Sequence, residues 1–351
     1  MANNRPLPSL PLRRTMAALT AALIGLGCVD ATAAEPAKQI FGKVALPSQG
    51  VPSPIGFYAK GCMAGAVAIP TDGPTWQAMR LSRNRRWGNP AMIQLLERFS
   101  KDAAGLGWGS GILIGDISQP RGGPMLTGHA SHQIGLDADI WFTPKPAQPL
   151  TAQQREDMPF TSMLDKSKFL TVSNQRWTST HARLVMQAAS YPEVERVFVN
   201  PAIKKKLCDT WTGDRSLLGK VRPVYGHDEH FHIRIHCPEG APGCKPQAPV
   251  AAGDGCDKSL AWWFTKEPWA APKKDPNAKP AKPKFTTLAD LPKACSEVLA
   301  APANPEGAAT YGTAYTAPPA NSPSVEAVIN ASAEQAAGDV AIPVPVPRPL
   351  D

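Results

Sequence analysis

The chain has 351 residues, a formal net charge of +8 and 19% charged residues, and it contains no recognisable nucleic-acid-binding motif. We therefore expect no nucleic-acid partner. The mild positive charge would attract an anionic polymer outside the cytoplasm, but it would equally keep an exported protein soluble, so charge alone does not choose a function.

The first 34 residues have the pattern of an export signal. Basic residues precede an apolar run from Met16 to Cys28, and small residues suited to cleavage follow at Ala31 to Ala34. The apolar run is shorter than the roughly 20 residues that a membrane-spanning helix needs, so we predict no stable membrane insertion once residues 1–34 are removed. A lipid anchor on Cys28 is the alternative, although Gly25 stands where such a signal usually has leucine.

Beyond the signal, the composition predicts one folded domain and a tail. Residues 35–300 are long enough for a single hydrophobic core and contain the aromatic and branched residues to build it. Residues 301–351 are rich in Ala and Pro and poor in large apolar side chains, so they cannot bury enough surface to offset the entropy of ordering them. We predict that this Ala/Pro-rich tail is disordered.

Periodicity predicts helices beside a small sheet. Asn89 and Pro90 form a helix start, with Asn as the cap, and apolar residues follow at helical spacing as far as Phe99. A second helix is predicted over Ser179 to Ser190. The predicted strands are Gly111–Ile117, Leu136–Phe142, Val194–Val199 and the strictly alternating His230–His236. The expected class is α+β, with a small central antiparallel sheet flanked by helices.

Five of the seven histidines fall in two short clusters, which core packing does not explain. They are His129 and His132 in the first cluster, and His227, His230 and His232 in the second. Zinc prefers imidazole and carboxylate ligands, and a catalytic zinc site keeps three protein ligands and one open position. The clusters therefore predict a zinc site.

Strand geometry predicts which of these side chains meet. His230 and His232 are two residues apart on a strand and point to the same face, whereas Phe231 points to the other. Asp139 lies early in a predicted strand, and His132 lies in the loop before it, so both can reach one ion. Asp137 points the same way as Asp139 and is the alternative carboxylate ligand.

These residues also carry a family resemblance. His132 and Asp139, separated by six residues, and the downstream His230-Phe231-His232 resemble the HxxxxxxD…HxH pattern of the LAS metallopeptidases. The flanking segments Arg85–Gly88, Gly115–Pro124 and Phe198–Ile203 resemble the penicillin-insensitive murein endopeptidases within that group. The similarity extends over most of the predicted domain.

The resemblance implies a role for each histidine. It implies that the zinc ligands are His132, Asp139 and His232. It implies that His230 is a general base, or stabilises the reaction intermediate, beside the water that zinc activates. His129 and His227 match further active-site histidines of the family, and His129 is a candidate ligand for a second metal ion. The implied substrate is peptidoglycan, at the bond between D-alanine and meso-diaminopimelate, and the implied location is the periplasm.

Six cysteines remain after signal removal, and in an exported protein they are expected to form disulfides. Six cysteines allow fifteen pairing schemes. The spacing suggests a nested scheme, and the family resemblance supports the same one. The predicted pairs are Cys62–Cys295, Cys208–Cys256 and Cys237–Cys244.

Several alternatives stay open. A D,D-carboxypeptidase of the same superfamily would release terminal D-alanine, and a non-catalytic, zinc-containing wall-binding protein would use the same ligands without turnover. Arg121, in a glycine-rich loop, is a candidate for holding a substrate carboxylate or is a solvated loop arginine. Residues 143–176 have few strong signals and are expected to form part of a substrate groove. The sequence does not determine the oligomeric state.

Overall fold

The structure is a computed structural model that describes residues 34–270 and 285–312. Nearly all of the predicted export signal and residues 313–351 of the predicted tail lie outside the described residues. Within the two described ranges, no helix is both long and apolar enough to cross a membrane.

In residues 34–270 and 285–312, ten strands build three sheets. In chain order they are β1 (Ser53–Phe57), β2 (Lys60–Ala64), β3 (Val67–Ala68), β4 (Trp76–Ala78), β5 (Trp87–Gly88), β6 (Ile112–Ile114), β7 (Asp137–Pro144), β8 (Val194–Val199), β9 (Val221–Pro223) and β10 (His230–Ile235). The main sheet has six strands in the order β4-β6-β7-β10-β8-β9, while β1 pairs with β2 and β3 pairs with β5.

The main sheet is mixed, which refines the predicted antiparallel sheet. The three inner pairings, β6 with β7, β7 with β10 and β10 with β8, are antiparallel. The outer strands β4 and β9 instead run parallel to β6 and β8. Parallel neighbours need a long crossover connection, and helices Pro90–Gly105 and Pro201–Thr210 lie in the two connections concerned.

Eight α-helices in the described part of the chain accompany the sheets. They are α1 (Ala37–Gly42), α2 (Pro90–Gly105), α3 (Ala152–Asp157), α4 (Ser179–Ser190), α5 (Pro201–Thr210), α6 (Lys258–Trp262), α7 (Ala294–Ala300) and α8 (Glu306–Ala309). The predicted α2 is confirmed, with the Asn89 side chain accepting a hydrogen bond from the Ala91 amide at its start. The predicted α4 is confirmed at both ends, and Thr178 is its cap.

The central strands β7 and β10 divide the fold into an apolar side and a polar side. Ile140 and Phe142 of β7, with Phe231 and Ile233 of β10, join the main hydrophobic core together with α2 and α4. Alternate residues project from the opposite face, where His230 pairs with Trp141, His232 with Asp139, and Arg234 with Asp137. The sheet register therefore places two histidines and two carboxylates on one face, with His232 directly opposite Asp139.

The strand predicted over Gly111–Ile117 is shorter in the structure. Its regular part covers Ile112–Ile114, and the chain leaves β7 only after Gly115 and Asp116, whose backbones still hydrogen-bond to Asp139. The freed Ile117 carbonyl accepts a hydrogen bond from His132 Nδ1 at 2.7 Å, so the early end of β6 positions a predicted site residue.

All three predicted disulfides are confirmed. Cys62 is bonded to Cys295, Cys208 to Cys256, and Cys237 to Cys244. The first joins β2 to α7 across 233 residues of chain, and closing so long a loop restricts the unfolded state most strongly in the chain-entropy account.

The ordered structure continues past the predicted domain boundary at residue 300. Helix α8 lies within the predicted tail, where Glu306 forms an ion pair with Arg86 and Ala309 is fully buried. The Tyr311 amide donates a hydrogen bond to the Ala68 carbonyl at 2.8 Å. The composition of residues 301–351 did not predict the ordered part up to residue 312. Small residues such as Ala309 can be buried in a packed gap although they add little apolar surface.

Candidate metal centre

His132 is held in a strained and tightly bonded conformation. Its φ is +66°, a left-handed value that costs a non-glycine residue about 1–3 kcal/mol unless its surroundings enforce it. The surroundings do so here: its amide donates to Asp137 Oδ2 at 3.0 Å, and its carbonyl accepts from the Ser118 hydroxyl at 2.6 Å. Its Nδ1 donates to the Ile117 carbonyl, which leaves Nε2 with a free lone pair.

Two buried atoms face each other across a gap without hydrogen-bond partners. Among the described residues, His132 Nε2 and Asp139 Oδ1 are both buried and unpartnered. They lie 3.4 Å apart. Ligand atoms bound to a tetrahedral ion at 2.0–2.1 Å are about 3.4 Å from each other, so the pair has the separation of two metal ligands. Unpartnered buried polar atoms are costly, which indicates that an ion belongs in the gap.

His232 is oriented towards the same gap. Its Nε2 donates to Asp137 Oδ1 at 2.7 Å, and its Nδ1 lies 3.7 Å from Asp139 Oδ1. A carboxylate that binds the second nitrogen of a histidine fixes the tautomer and ring orientation, as is usual around metal-bound histidines. The rings of His132 and His232 are 4.4 Å apart between centroids.

Asp137 is not free to serve as the alternative ligand. It is fully buried, and besides His232 and the His132 amide it accepts a hydrogen bond from Arg234 Nε at 2.7 Å. Burial alone would raise the pKa of this carboxyl, but the charges of Arg234 and His232 hold it below its usual range. The interpretation of Asp137 as a ligand is therefore wrong, because both of its oxygens are occupied in orienting the two histidines.

His129 lies on the other side of Asp139. Its Nε2 is 3.0 Å from Asp116 Oδ2 and 3.4 Å from Asp139 Oδ2. With His132 and Asp139 it forms a group of three side chains that could hold a metal ion. However, the nitrogen that faces Asp139 is the one that binds Asp116, so His129 would have to release that carboxylate to bind an ion in the gap.

His230 and His227 complete the histidine cluster at its solvent side. His230 Nε2 is 3.7 Å from Asp139 Oδ1, and its side chain keeps 22% exposure. The His227 ring centroid lies 5.1 Å from that of His230 and 5.9 Å from that of His232. His227 has a φ of +54°, and its Nδ1 donates to the Tyr225 carbonyl. Both histidines can therefore reach a substrate that enters from solvent.

The electrostatics of the cluster favour a cation between Asp139 and the histidines. Burial alone would raise the pKa of Asp139, but His230 and His132 lower it well below its usual range. Burial also opposes a charge on His132, yet Asp139 raises the pKa of that imidazole to about 9. The negative potential that would hold a proton on His132 would equally attract a metal ion.

A small cavity of about 50 Å³ opens onto these groups. Its lining residues are Arg80, Arg83, Gly115, Asp116, His129, Asp139, Trp141, Phe160 and His230. Phe160 comes from the segment expected to form a substrate groove. Arg121 is absent from this lining: its guanidinium is buried and donates to the carbonyls of Leu46, Val298 and Leu299. Arg121 therefore has a structural role in the fold.

The structure brings the five clustered histidines and Asp139 together, whereas Arg121 lies elsewhere, and it adds residues that sequence reasoning missed. The orienting role of Asp137 and the contribution of Arg234 follow from the strand alternation, since Arg234 continues the series of His230 and His232. Asp116 and Ser118 had no such signal, because they lie where the chain leaves β6 and meet the site only through tertiary contacts.

Histidines and a carboxylate around a gap of this size are typical of metal-dependent hydrolases. Residues 54–300 match the family model described as penicillin-insensitive murein endopeptidase. A relative of that name from Haemophilus influenzae is 45% identical over 258 residues, covering 73% of this chain and 86% of the relative. A relative of the same name from Klebsiella pneumoniae subsp. pneumoniae is 35% identical over 288 residues, covering 82% of this chain and 98% of the relative.

The chain is therefore a peptide hydrolase, and its site includes a group that could bind a metal ion. It belongs to the penicillin-insensitive murein endopeptidase family.

Proposed function

We propose that this protein is a periplasmic, zinc-dependent murein endopeptidase that hydrolyses D-alanyl–meso-diaminopimelyl cross-links in peptidoglycan. The observation that carries the proposal is the buried, unpartnered pair of His132 Nε2 and Asp139 Oδ1, found in a chain of this family. The relatives' name supports murein as the substrate, and the predicted export signal supports the location.

The proposed zinc ligands are His132 through Nε2, Asp139 through Oδ1 and His232 through Nδ1. His232 is preferred to His129 as the third ligand because Asp137 binds its other nitrogen and leaves Nδ1 free. Burial lowers the pKa of His232 to about 3, which favours the neutral imidazole that binds metals. His129, held by Asp116, remains the candidate for a second metal ion.

Bound zinc would supply Lewis-acid chemistry, lowering the pKa of water and polarising the substrate carbonyl. The protein's own groups then handle protons and charge. His230 Nε2, close to Asp139 and accessible to solvent, accepts the proton of the attacking water and delivers it to the leaving amine. His227 packs beside His230 at the solvent side of the cluster and forms part of the proposed substrate-binding surface.

The test uses purified cross-linked muropeptide dimers incubated with the full-length, zinc-loaded protein. Conversion of dimers to monomers is expected, with loss of activity after chelation and recovery when zinc is restored. Release of free D-alanine without monomers would instead support a D,D-carboxypeptidase. Bound zinc without turnover of either kind would support a wall-binding protein.

Two variants assign the observed activity to the site. His232→Ala should lose both zinc and dimer cleavage, because it removes a proposed ligand. His230→Ala should keep zinc and lose most of the cleavage, because it removes the proposed proton carrier. Dimer cleavage by His232→Ala at the wild-type rate would contradict the assignment.

A further inference from the structure

Arg83 occupies a fixed position beside the candidate metal centre. It ends a single 3₁₀ turn, Leu81–Arg83, that lies between two left-handed residues, Arg80 and Asn84, each with a φ of +52°. The turn is held from outside, since the Ser82 amide and hydroxyl donate to the Glu156 carboxylate at 2.8 and 2.9 Å. The backbone therefore presents Arg83 to the cavity that His129, Asp139 and His230 also line.

The positive charge around Asp116 exceeds the charge that this carboxylate can neutralise. Asp116 Oδ2 accepts from Arg85 at 2.8 Å, from His129 at 3.0 Å and from Arg83 at 3.2 Å. Arg85 is the buried partner, with 8% exposure, and it also donates to the Thr127 hydroxyl. One carboxylate thus faces two guanidinium groups, so Asp116 does not by itself neutralise both Arg85 and Arg83.

The guanidinium of Arg83 has hydrogen-bond donors that are not used within the described structure. Its side chain is 40% exposed, and across residues 34–270 and 285–312 its only side-chain hydrogen bond is the one to Asp116. Arg80, the other arginine of the cavity, is committed elsewhere. Its guanidinium lies over the rings of Trp141 and Phe160 and donates to the carbonyls of Arg155 and Met158. The arginine free to bind an anion is therefore Arg83.

We propose that Arg83 forms a carboxylate-binding subsite that selects substrates with a free carboxylate on the carbon bearing the leaving amine. This rests on the proposed function. In a D-alanyl–diaminopimelyl cross-link, the carbon that carries the leaving amine also carries a carboxylate. Arg83 is connected to Asp139 through Asp116 and His129 by contacts of 3.0–3.4 Å, so the subsite lies close to the scissile bond. A guanidinium matches a carboxylate through two parallel hydrogen bonds.

The test compares two synthetic cross-linked peptides that differ only at this carboxyl group, which is free in one and a carboxamide in the other. The zinc-loaded wild type should cleave the acid with kcat/KM about tenfold above that for the amide, mainly through KM, as expected for one charge-assisted contact. Arg83→Gln should bring the ratio to about one by weakening cleavage of the acid, while cleavage of the amide stays within about twofold.

Arg98→Gln is the matched control, because Arg98 is a similarly exposed arginine that pairs with Glu193 away from the cavity lining. It should keep the wild-type ratio. Arg83→Lys, which retains the charge but not the two-pronged geometry, should give an intermediate ratio. Thermal unfolding midpoints establish that each variant is folded.

The outcomes separate the two proposals. An acid-to-amide ratio in Arg83→Gln equal to that of the wild type, with turnover intact, overturns the subsite and leaves the endopeptidase standing. A wild-type protein that cleaves neither peptide nor any muropeptide dimer overturns both. A changed ratio in Arg98→Gln as well would show a general charge effect and would also overturn the subsite.

Discussion

The two faces of strands β7 and β10 are almost equally buried but chemically opposite. On the helix side, Phe231 and Ile140 are fully buried among apolar neighbours. On the other side, His232 and Asp139 are each only 4% exposed, yet they are polar. Burial of apolar surface stabilises the first face by about 25 cal/mol per Å². Burial of the second face is unfavourable unless each polar atom has a partner.

The polar face meets this requirement only in part. Asp137 and Arg234 satisfy each other and orient His232, whereas His132 Nε2 and Asp139 Oδ1 remain without partners in the described structure. One face therefore stabilises the fold, while the other contains a group of side chains that could hold a metal ion. Substitutions on the two faces should therefore have different consequences, and four predictions test this.

The largest effect is expected from Asp139→Asn, which keeps the shape of the side chain but removes a proposed ligand charge. We expect loss of bound zinc and a fall in kcat/KM for dimer cleavage of about three orders of magnitude or more. Metal analysis of the dialysed protein and muropeptide assays measure the two effects. Asp209→Asn, at an exposed side chain near the end of α5, is the control. Zinc retained at wild-type affinity in Asp139→Asn would contradict the ligand assignment.

On the apolar face, Phe231→Ala should act on stability. Removing a fully buried phenylalanine leaves a cavity and should lower the free energy of unfolding by about 3–5 kcal/mol, measured by urea denaturation. Phe169→Ala makes the same substitution at a side chain with 62% exposure and should change stability by about 0.5 kcal/mol or less. Equal losses in the two variants would remove the distinction between the faces.

A smaller effect should follow from Asp137→Asn, which weakens the orientation of His232 without touching the ion. Loss of such an orienting carboxylate typically costs 10–100-fold in metal affinity or activity, so we expect the zinc dissociation constant to rise by about that factor. Competition with a chromophoric chelator measures it. Asp257→Asn, at an exposed helix cap, should bind zinc like the wild type. An unchanged constant in Asp137→Asn would contradict the orienting role of Asp137.

The smallest effect concerns His181, which packs on the apolar side against Trp108 and Trp177. Burial lowers the pKa of His181 from 6.5 to about 4. Above pH 6.5 the residue is neutral in both states. As pH falls towards 4, the unfolded chain binds a proton that the folded protein does not, so stability decreases. From pH 7 to pH 5 this contributes a loss of about 2 kcal/mol.

Urea denaturation at both pH values should show that His181→Gln lacks this part of the wild-type loss. His236→Gln replaces a histidine with an exposed side chain and serves as the control. If both variants reproduce the wild-type pH dependence, His181 does not carry it.

Much of the fold and the site could be predicted from local pattern. A cap residue and an apolar stripe predict helices α2 and α4, and strict alternation of polar and apolar residues predicts β10. The same alternation placed His230 and His232 on one face. The disulfide pairs were predictable because spacing and family resemblance agreed.

What could not be predicted depends on tertiary contacts between distant segments. The parallel edge strands β4 and β9 are short and carry no pattern that distinguishes parallel from antiparallel pairing. Asp137 and Asp139 are equivalent by strand periodicity, and only the presence of Arg234 opposite Asp137 separates them. The burial of Arg121 could not be predicted either, because the carbonyls that bind its guanidinium belong to helix α7, far along the chain.

That contact between Arg121 and α7 has a consequence for the timing of activity. The loop that follows Arg121 is bonded to the segment carrying His132, since the Gly123 amide donates to the Gln133 carbonyl. The carbonyls that hold Arg121 belong to Val298 and Leu299, next to the disulfide between Cys62 and Cys295. A growing chain therefore contains every proposed ligand long before it contains the support for the first one. We therefore expect the site to be the last part of the protein to reach its final structure. It should do so only after α7 has been synthesised and the disulfide between Cys62 and Cys295 has formed.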